Sequence, residues 1–374
     1  MGKKAIVIGA GIVGLATARA LSLKGFAVEV FDRHMQATGA SIRNFGMLWP
    51  IGQPAGELYQ RAIRSRNIWK ETCSAAGIWH EESGSLHLAY HDDELQVLTE
   101  LYQNFLQQGR NVMLLTKDDI IAKYEAVNPL NLLGGLHSSE EMIVDPRESI
   151  AKLPKYFIET KGIQFHWGKC VTSINDQAVF IGKEKHSADI IVVCSGADFQ
   201  TLFPEIFATL PLTTCKLQMM RLVAQPANWR IGPALCGGLS LIHYNSFKVA
   251  PSLNQLRQRY QSEMKEYIDW GIHVMVAQNG RGELTIGDSH EYGSTHDPFD
   301  KQFINEMILD YLHQFARFKN ESTLESWNGV YPKCTNGSTE IFLSPQKDVY
   351  ILNGLGGNGM TLSFGLAEEM VSII

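Results

Sequence analysis

No two of the six cysteines stand in a CxxC pair, no run of lysine or arginine occurs, and no repeat or low-complexity segment breaks the 374 residues. Each absence removes a class of protein. Unpaired Cys73, Cys170, Cys194, Cys215, Cys236 and Cys334 read as reduced thiols of a cytoplasmic protein, with no metal site expected. A net charge of -6 without a basic tail leaves no footprint for nucleic acid. No segment has the length and apolarity of a membrane span. Lys3 and Lys4 before an apolar run suggest a signal peptide, but glycines interrupt that run and no small-residue cleavage site follows. What remains is a chain long enough for a large core and two structural domains.

The richest stretch lies between Lys4 and Asp32. Ala5-Ile6-Val7-Ile8 reads as a buried parallel strand, Gly9-Ala10-Gly11-Ile12-Val13-Gly14 as the turn into a helix, and Ala27 to Phe31 as a second strand. Gly9 permits the tight turn, Gly11 lets backbone approach a pyrophosphate, and Gly14 lets helix and strand pack closely. The amides of Ile12 and Val13 open the helix, where unpaired N–H groups favour an anion. Asp32 falls where a carboxylate takes ribose hydroxyls, so FAD or NAD is preferred to NADP, whose 2′-phosphate it would repel.

Further along, Glu57–Gly77 and Asp92–Gln108 have helical periodicity, and Gly84–Tyr90 alternates like a strand. Asp145 followed by Pro146 predicts an N-cap and first helical residue. Strands are expected at Gly162–Phe165, Val171–Ile174 and Ala178–Ile181. Ala188 to Ala197 reads as a buried strand ending in a small-residue turn at Ser195 and Gly196, a second place for a cofactor. Lys216 to Asp288 has an all-β texture, Phe299–Phe318 is helical, and the last fifty residues return to strand, Gly-rich turn and helix. Nucleotide-type features at the start, middle and end predict an α/β (α+β overall) fold. In it, a discontinuous Rossmann-like domain (1–82, 143–212 and 322–374) accommodates an inserted β-sheet-based substrate domain (83–142 and 213–321).

These motifs together resemble the glycine oxidase, D-amino acid oxidase and sarcosine oxidase family of FAD-dependent amine oxidoreductases. The carriers are the Gly9–Gly14 turn with Asp32, the Ser41–Gly46 loop, Ala188–Ala197, Gly282–Asp288, Trp327-Asn328-Gly329-Val330-Tyr331-Pro332 and Gly354–Met360. The resemblance implies that Gly9, Gly11 and Gly14 cradle the pyrophosphate of FAD, that Asp32 and Arg33 meet the adenosine, and that Val171 meets adenine. It implies that Ser41, Asn44, Gly46 and Met47 lie along the phosphates and ring system, with Ser195 and Gly196 beside them. Gly356, Gly357, Asn358, Gly359, Met360 and Thr361 would present a helix N-terminus to the flavin pyrimidine, where a reduced flavin carries negative charge. The implied reaction is hydride transfer from the carbon bearing an amine nitrogen to flavin N5, followed by imine hydrolysis and reoxidation by oxygen or another acceptor.

Two departures bear on the substrate. The position before the proline of the Trp-x-Gly-x-x-Pro stretch, which its Gly and Pro mark as a turn, is an arginine in glycine oxidase-like members, where it forks onto a carboxylate; here it is Tyr331. A second arginine position is taken by Gly357. Candidate donors for a different anion are Arg43, Lys333, His243, Tyr244, His273 and His290, and alternation places Met275 on the face of His273. Ser41–Met47 and Gly287–Tyr292 resemble a subgroup linked to aminophosphonate catabolism, which implies 2-aminoethylphosphonate or its N-methyl form as substrate. A glycine, sarcosine or D-amino acid substrate held by Lys333 or Arg43 is the alternative. Cys334 is out of register with the cysteine that tethers FAD in some sarcosine oxidases, so non-covalent FAD is expected. A nicotinamide dehydrogenase leaves the C-terminal Gly-rich turn without a purpose, and a flavin-binding sensor would show no turnover.

Overall fold

The computed structural model describes residues 2–374. Lys4–Ile8 lies inside a six-stranded sheet ordered Ile341–Gln346, Val349–Asn353, Ile190–Val193, Lys4–Ile8, Ala27–Asp32 and Gln164–Trp167. The pairings are parallel except at the Ile341–Gln346 edge. Covering on both faces explains why the first strand is apolar throughout. Ala5 and Val7 face a helical layer, while Ile6 and Ile8 face the opposite way. Helices Ile12–Leu23, Pro146–Lys161 and Gly359–Ile373 build the first layer, with Glu57–Ala76 packed on the last of them. On the other side, the antiparallel strands Ser173–Asn175, Ala178–Ile181 and Glu184–Ser187 bring Ile174 and Val179 against Phe31 and Ile191. This is the α/β, Rossmann-like arrangement expected from the sequence.

The helix at Pro146 begins as its sequence dictates. The Asp145 carboxylate accepts from the amides of Arg147 (2.9 Å) and Glu148 (3.3 Å), and Gly162 closes the helix at φ 65°.

A nine-stranded sheet makes up most of the second half of the fold. Ser85–Ala89, Val112–Thr116 and Gly134–Ser138 join it from early in the chain, and Leu212–Leu222, Ala234–Cys236, Met275–Gln278, Leu284–Gly287 and Glu291–Gly293 from later. Thr323–Cys334 pairs antiparallel with Leu212–Leu222 along its length, so the chain beyond residue 322 begins in this sheet before returning to the six-stranded one. Trp327–Pro332 is therefore strand, not the turn its Gly and Pro suggested.

The all-β expectation for Lys216–Asp288 is corrected. Helices Leu253–Glu263 and Lys265–Asp269 follow two 3₁₀ turns, Gly238–Ile242 and Asn245–Val249. The first of these helices buries only Leu253, Leu256 and Tyr260, a stripe too thin to stand out among its polar residues. Two further differences are small in extent. Val171 precedes its strand, which starts at Ser173, and the last helix begins at Gly359, inside the Gly-rich turn.

Candidate active site and cofactor cleft

A cavity of about 680 Å³ runs between the two sheets, starting at the turn after Ile8. Two glycines of that turn are there because nothing larger fits. Gly9 has φ 105°, and a Cβ on Gly14 would stand 1.8 Å from the Gly9 carbonyl oxygen. Gly14 itself lies behind the cavity wall and holds the helix against the turn. Gly46 is also outside the cavity, where a Cβ would stand 1.9 Å from the Val144 carbonyl. The other expected cofactor residues line the cavity.

The opening helix presents its first turn to the cleft, and the Ile12 amide donates to Ser41 Oγ at 2.9 Å. Asp32 is held by two amides, Ala10 on one oxygen and His34 on the other, each 2.9 Å away. Arg33 pairs with Asp198, which places it beside the Ser195–Gly196 turn. Asn44 works on its own loop: its amide donates to the carbonyls of Ala40 and Ser41, and its oxygen accepts from the Gly46 amide. Val171 borders the cleft near Lys169 and Cys170. At the far end, one 3₁₀ turn, Gly356–Asn358, leads into the Gly359–Ile373 helix, whose N-terminus faces the cavity. Gln53 donates to Asn358 Oδ1 (2.9 Å), and the Trp49 amide donates to Thr361 Oγ1 (3.0 Å). Dinucleotide-type cradles thus stand at both ends of one cleft.

Beside the second cradle the candidate substrate residues converge. A Cβ on Gly357 would lie 3.9 Å from the Tyr331 hydroxyl, and one on Gly356 would lie 3.6 Å from Lys333 Cγ. Lys333 Nζ donates to the Tyr292 hydroxyl (2.8 Å), and burial pushes its ammonium below the usual lysine range. The hydroxyl of Tyr244 donates to Met275 Sδ at 3.2 Å. The His273 and His290 rings stack with centroids 5.1 Å apart, and His243 lies tilted against both, 3.8 Å from His273 and 5.0 Å from His290. Burial drives the His273 and His290 imidazoles towards the neutral form, with His290 lowered to about 4, while His243 stays exposed. Arg43 also borders the cavity, but its guanidinium donates to the Asn328 carbonyl (3.0 Å), and it lines a separate cleft with Arg147 and Trp327.

One nitrogen from each of the three imidazoles lies within 4.8 Å of the others.

Sequence reasoning did not assign a role to Asp288, which is 5 % exposed, lines the cavity and has Oδ1 3.2 Å from His273 Nε2. It stood at the end of a quoted motif, but only the fold turns that segment towards the histidines. Trp49 and Gln53 were missed because a two-residue strand and a short 3₁₀ turn carry no periodicity.

Residues 4–373 match the family described as FAD dependent oxidoreductase. The chain belongs to that family. FAD is accordingly its cofactor, and the Gly9 and Gly14 contacts and the two helix N-termini at the cleft fit such a group. Among solved structures, glycine oxidase from Bacillus cereus ATCC 14579 superposes with a TM-score of 0.78 at 16% identity, covering 99% of this chain and 94% of that one. L-proline dehydrogenase from P. horikoshii gives 0.77 at 18% identity, covering 99% and 92%. These likenesses are of fold. Glycerol 3-phosphate dehydrogenase of Caloramator mitchellensis is 24% identical over 198 residues, 51% of this chain and 41% of that protein. This chain therefore spans less than half the length of that curated relative. D-amino acid dehydrogenase 2 of Mesorhizobium japonicum is 20% identical over 99% of this chain and 96% of its own length. Among the described residues no helix is long and apolar enough to cross a membrane.

FAD held without a covalent link, as the register of Cys334 leads one to expect, should leave the protein on acid or heat denaturation. The buried Cys334 thiol donates to the Gly354 carbonyl at 3.5 Å. The check is the supernatant spectrum after precipitation; flavin remaining with the pellet would show a covalent link.

Proposed function

We propose that the protein oxidises a small amine carrying a phosphonate, 2-aminoethylphosphonate or its N-methyl form, with FAD held non-covalently. The observation that carries the reading is that Lys333 and Tyr331 both stand beside the glycines at the N-terminus of the Gly359 helix, with Tyr331 at the position where the resemblance implies an arginine forked onto a carboxylate. A phosphonate is bulkier and more highly charged than a carboxylate. A point-charge ammonium with hydroxyl and imidazole donors suits it better than one planar fork.

The segments 1–82, 143–212 and 322–374 would bind FAD, with 83–142 and 213–321 shaping the substrate end. Asp32 would take the adenosine ribose, the Gly9–Val13 turn and Ser41 the pyrophosphate, and Gly356–Thr361 the flavin ring. FAD, when bound, supplies the acceptor for the hydride that leaves the carbon bearing the amine. The chain's own task is to place that carbon and keep its nitrogen neutral. Lys333 and Tyr331 would hold the anion at one end, Tyr244 and Met275 would wall the carbon chain, and the neutral imidazoles would keep the site poor in positive charge. The imine then hydrolyses, and oxygen or another acceptor takes the electrons.

A carboxylate substrate is the second reading, favoured by the glycine oxidase-like fold and by Lys333 as a sufficient cation. Anaerobic bleaching of the bound flavin by a panel separates the two. Under the first reading 2-aminoethylphosphonate or its N-methyl form bleaches it, while glycine, sarcosine and D-alanine do so at least about tenfold more slowly, a difference of roughly 1.4 kcal/mol. Faster bleaching by sarcosine or glycine would overturn that reading in favour of the second.

A further inference from the structure

Four side chains at the substrate end of the cleft offer electron pairs that the rest of the protein leaves unused. One nitrogen from each of His243, His273 and His290 lies within 4.8 Å of the others, and Asp288 lines the same cavity. Asp288 Oδ1 is 3.2 Å from His273 Nε2, and Oδ2 is 3.9 Å from His290 Nε2. Yet Oδ1 is buried without a hydrogen-bond partner, as is His273 Nδ1, in residues only 5 % and 4 % exposed. An orphaned buried oxygen calls for a partner from outside the chain. His290 Nδ1 lies 3.0 Å from the Gly271 carbonyl, which puts the ring proton there and leaves Nε2 a free lone pair.

The spacing suits coordination. An imidazole bound at about 2.1 Å has its centroid about 3.2 Å from the ion, so two such rings stand roughly 4.5–5.2 Å apart. His290 is 5.0 Å from His243 and 5.1 Å from His273. The 3.8 Å between His243 and His273 is tighter, and His243 is the exposed ring, free to swing outward. Burial penalises imidazolium, which keeps protons off the lone pairs of His273 and His290. Asp288, protonated when no cation stands beside it, would bind as a carboxylate, its proton passing to water as the ion's charge replaces it.

We propose that His243, His273, His290 and Asp288 form a site for a divalent transition ion of the zinc class, and that filling it shuts the amine out of the cleft. Three imidazoles and one carboxylate suit Zn²⁺, with Co²⁺ as its substitute, whereas Mg²⁺ and Ca²⁺ need mostly oxygen donors. The Lys333 ammonium faces the same space and opposes a dication, which makes the ion a reversible occupant. The exclusion rests on the amine reading: the ion would take up space beside Lys333 and repel an arriving ammonium. With no ion bound, the imidazoles stay neutral, as that reading requires.

The experiment is a titration of FAD-loaded, chelator-treated enzyme with Co²⁺, read by the ion's ligand-field absorption at wavelengths beyond the flavin bands. One equivalent with the strong bands of a four- or five-coordinate ion is expected, and Zn²⁺ should displace it. His273→Asn should weaken binding at least about tenfold, the loss that even an outer-shell partner of a bound metal brings. His243→Ala should do the same, and because that ring is exposed the variant should fold, with flavin content and melting temperature as the check. Lys333→Met should tighten binding by removing the opposing charge. Zn²⁺ should raise KM for whichever amine bleaches the flavin fastest, leave the limiting rate unchanged, and be reversed by EDTA. Only the weak bands of hydrated Co²⁺, or undiminished binding in both histidine variants, would overturn the site. Stoichiometric Co²⁺ with an unchanged KM would overturn the exclusion. If no amine bleaches the flavin, the amine reading itself fails, while the Co²⁺ titration still decides the site.

Discussion

Replacing Lys333 with methionine is expected to lower kcat/KM for the phosphonate substrate by about 10²–10³-fold, expressed mainly as a rise in KM. The ammonium is partly desolvated, and truncating one partner of such a charged contact typically costs about 2–5 kcal/mol, which covers that range of fold-changes. Folding should survive, since the Lys333 partner is the half-exposed Tyr292 hydroxyl and not a core group. A neutral alkylamine serves as the control, and its kcat/KM should change little. Lys333→Arg keeps the charge and should recover part of the loss. The wild-type pH dependence has a definite sign. Burial lowers the lysine pKa, so the charged form is complete at low pH and is lost as pH rises through the lowered value. KM for the anion should therefore climb on the alkaline side before an ordinary lysine would titrate. Equal losses with phosphonate and neutral amine would show that Lys333 does not hold the anion.

Gly14→Ala should yield a protein that retains no FAD. The added methyl would meet the Gly9 carbonyl oxygen at 1.8 Å and the Gly9 carbonyl carbon at 2.9 Å, and both are backbone atoms that no side-chain rotation can clear. The helix would have to slide off the turn, which carries the first-turn amides away from the pyrophosphate position. Overpacking of this kind destabilises by about 1–3 kcal/mol. The flavin loss should be far larger, because the anion site depends on the turn and helix meeting. Gly293→Ala, outside the cleft, supplies the contrast. Its methyl would meet nothing nearer than the Thr295 carbonyl oxygen at 3.5 Å, and its φ is not positive, so flavin content should stay near wild type. Equal flavin content in both variants would refute the steric argument. Absorbance of the purified proteins and their melting temperatures decide it.

The cofactor cleft was legible because its signals are local. A glycine forced by one carbonyl, an acid at the end of the second strand and a proline opening a helix each sit within a few residues of what they serve. The Leu253–Glu263 helix was illegible for the opposite reason, its three buried residues being outnumbered by solvated ones. Trp327–Pro332 misled through composition, since its strand character comes from a partner more than a hundred residues earlier. Asp288 was passed over for a similar reason: only the pairing of Met275–Gln278 with Leu284–Gly287 lays it beside His273. Arg43 was visible as a charge, but its commitment to the Asn328 carbonyl was not.

The order of strands in the six-stranded sheet has a consequence for how the protein is made. Its central strand is Lys4–Ile8, yet a neighbour of its partner Ile190–Val193 is Val349–Asn353, and the last cradle follows at Gly356. A chain emerging from the ribosome holds its first glycine turn roughly 350 residues before the last one appears. The nascent protein must shelter a half-built apolar sheet for that whole interval. A truncation near residue 340 would therefore be expected to strand the chain in that state.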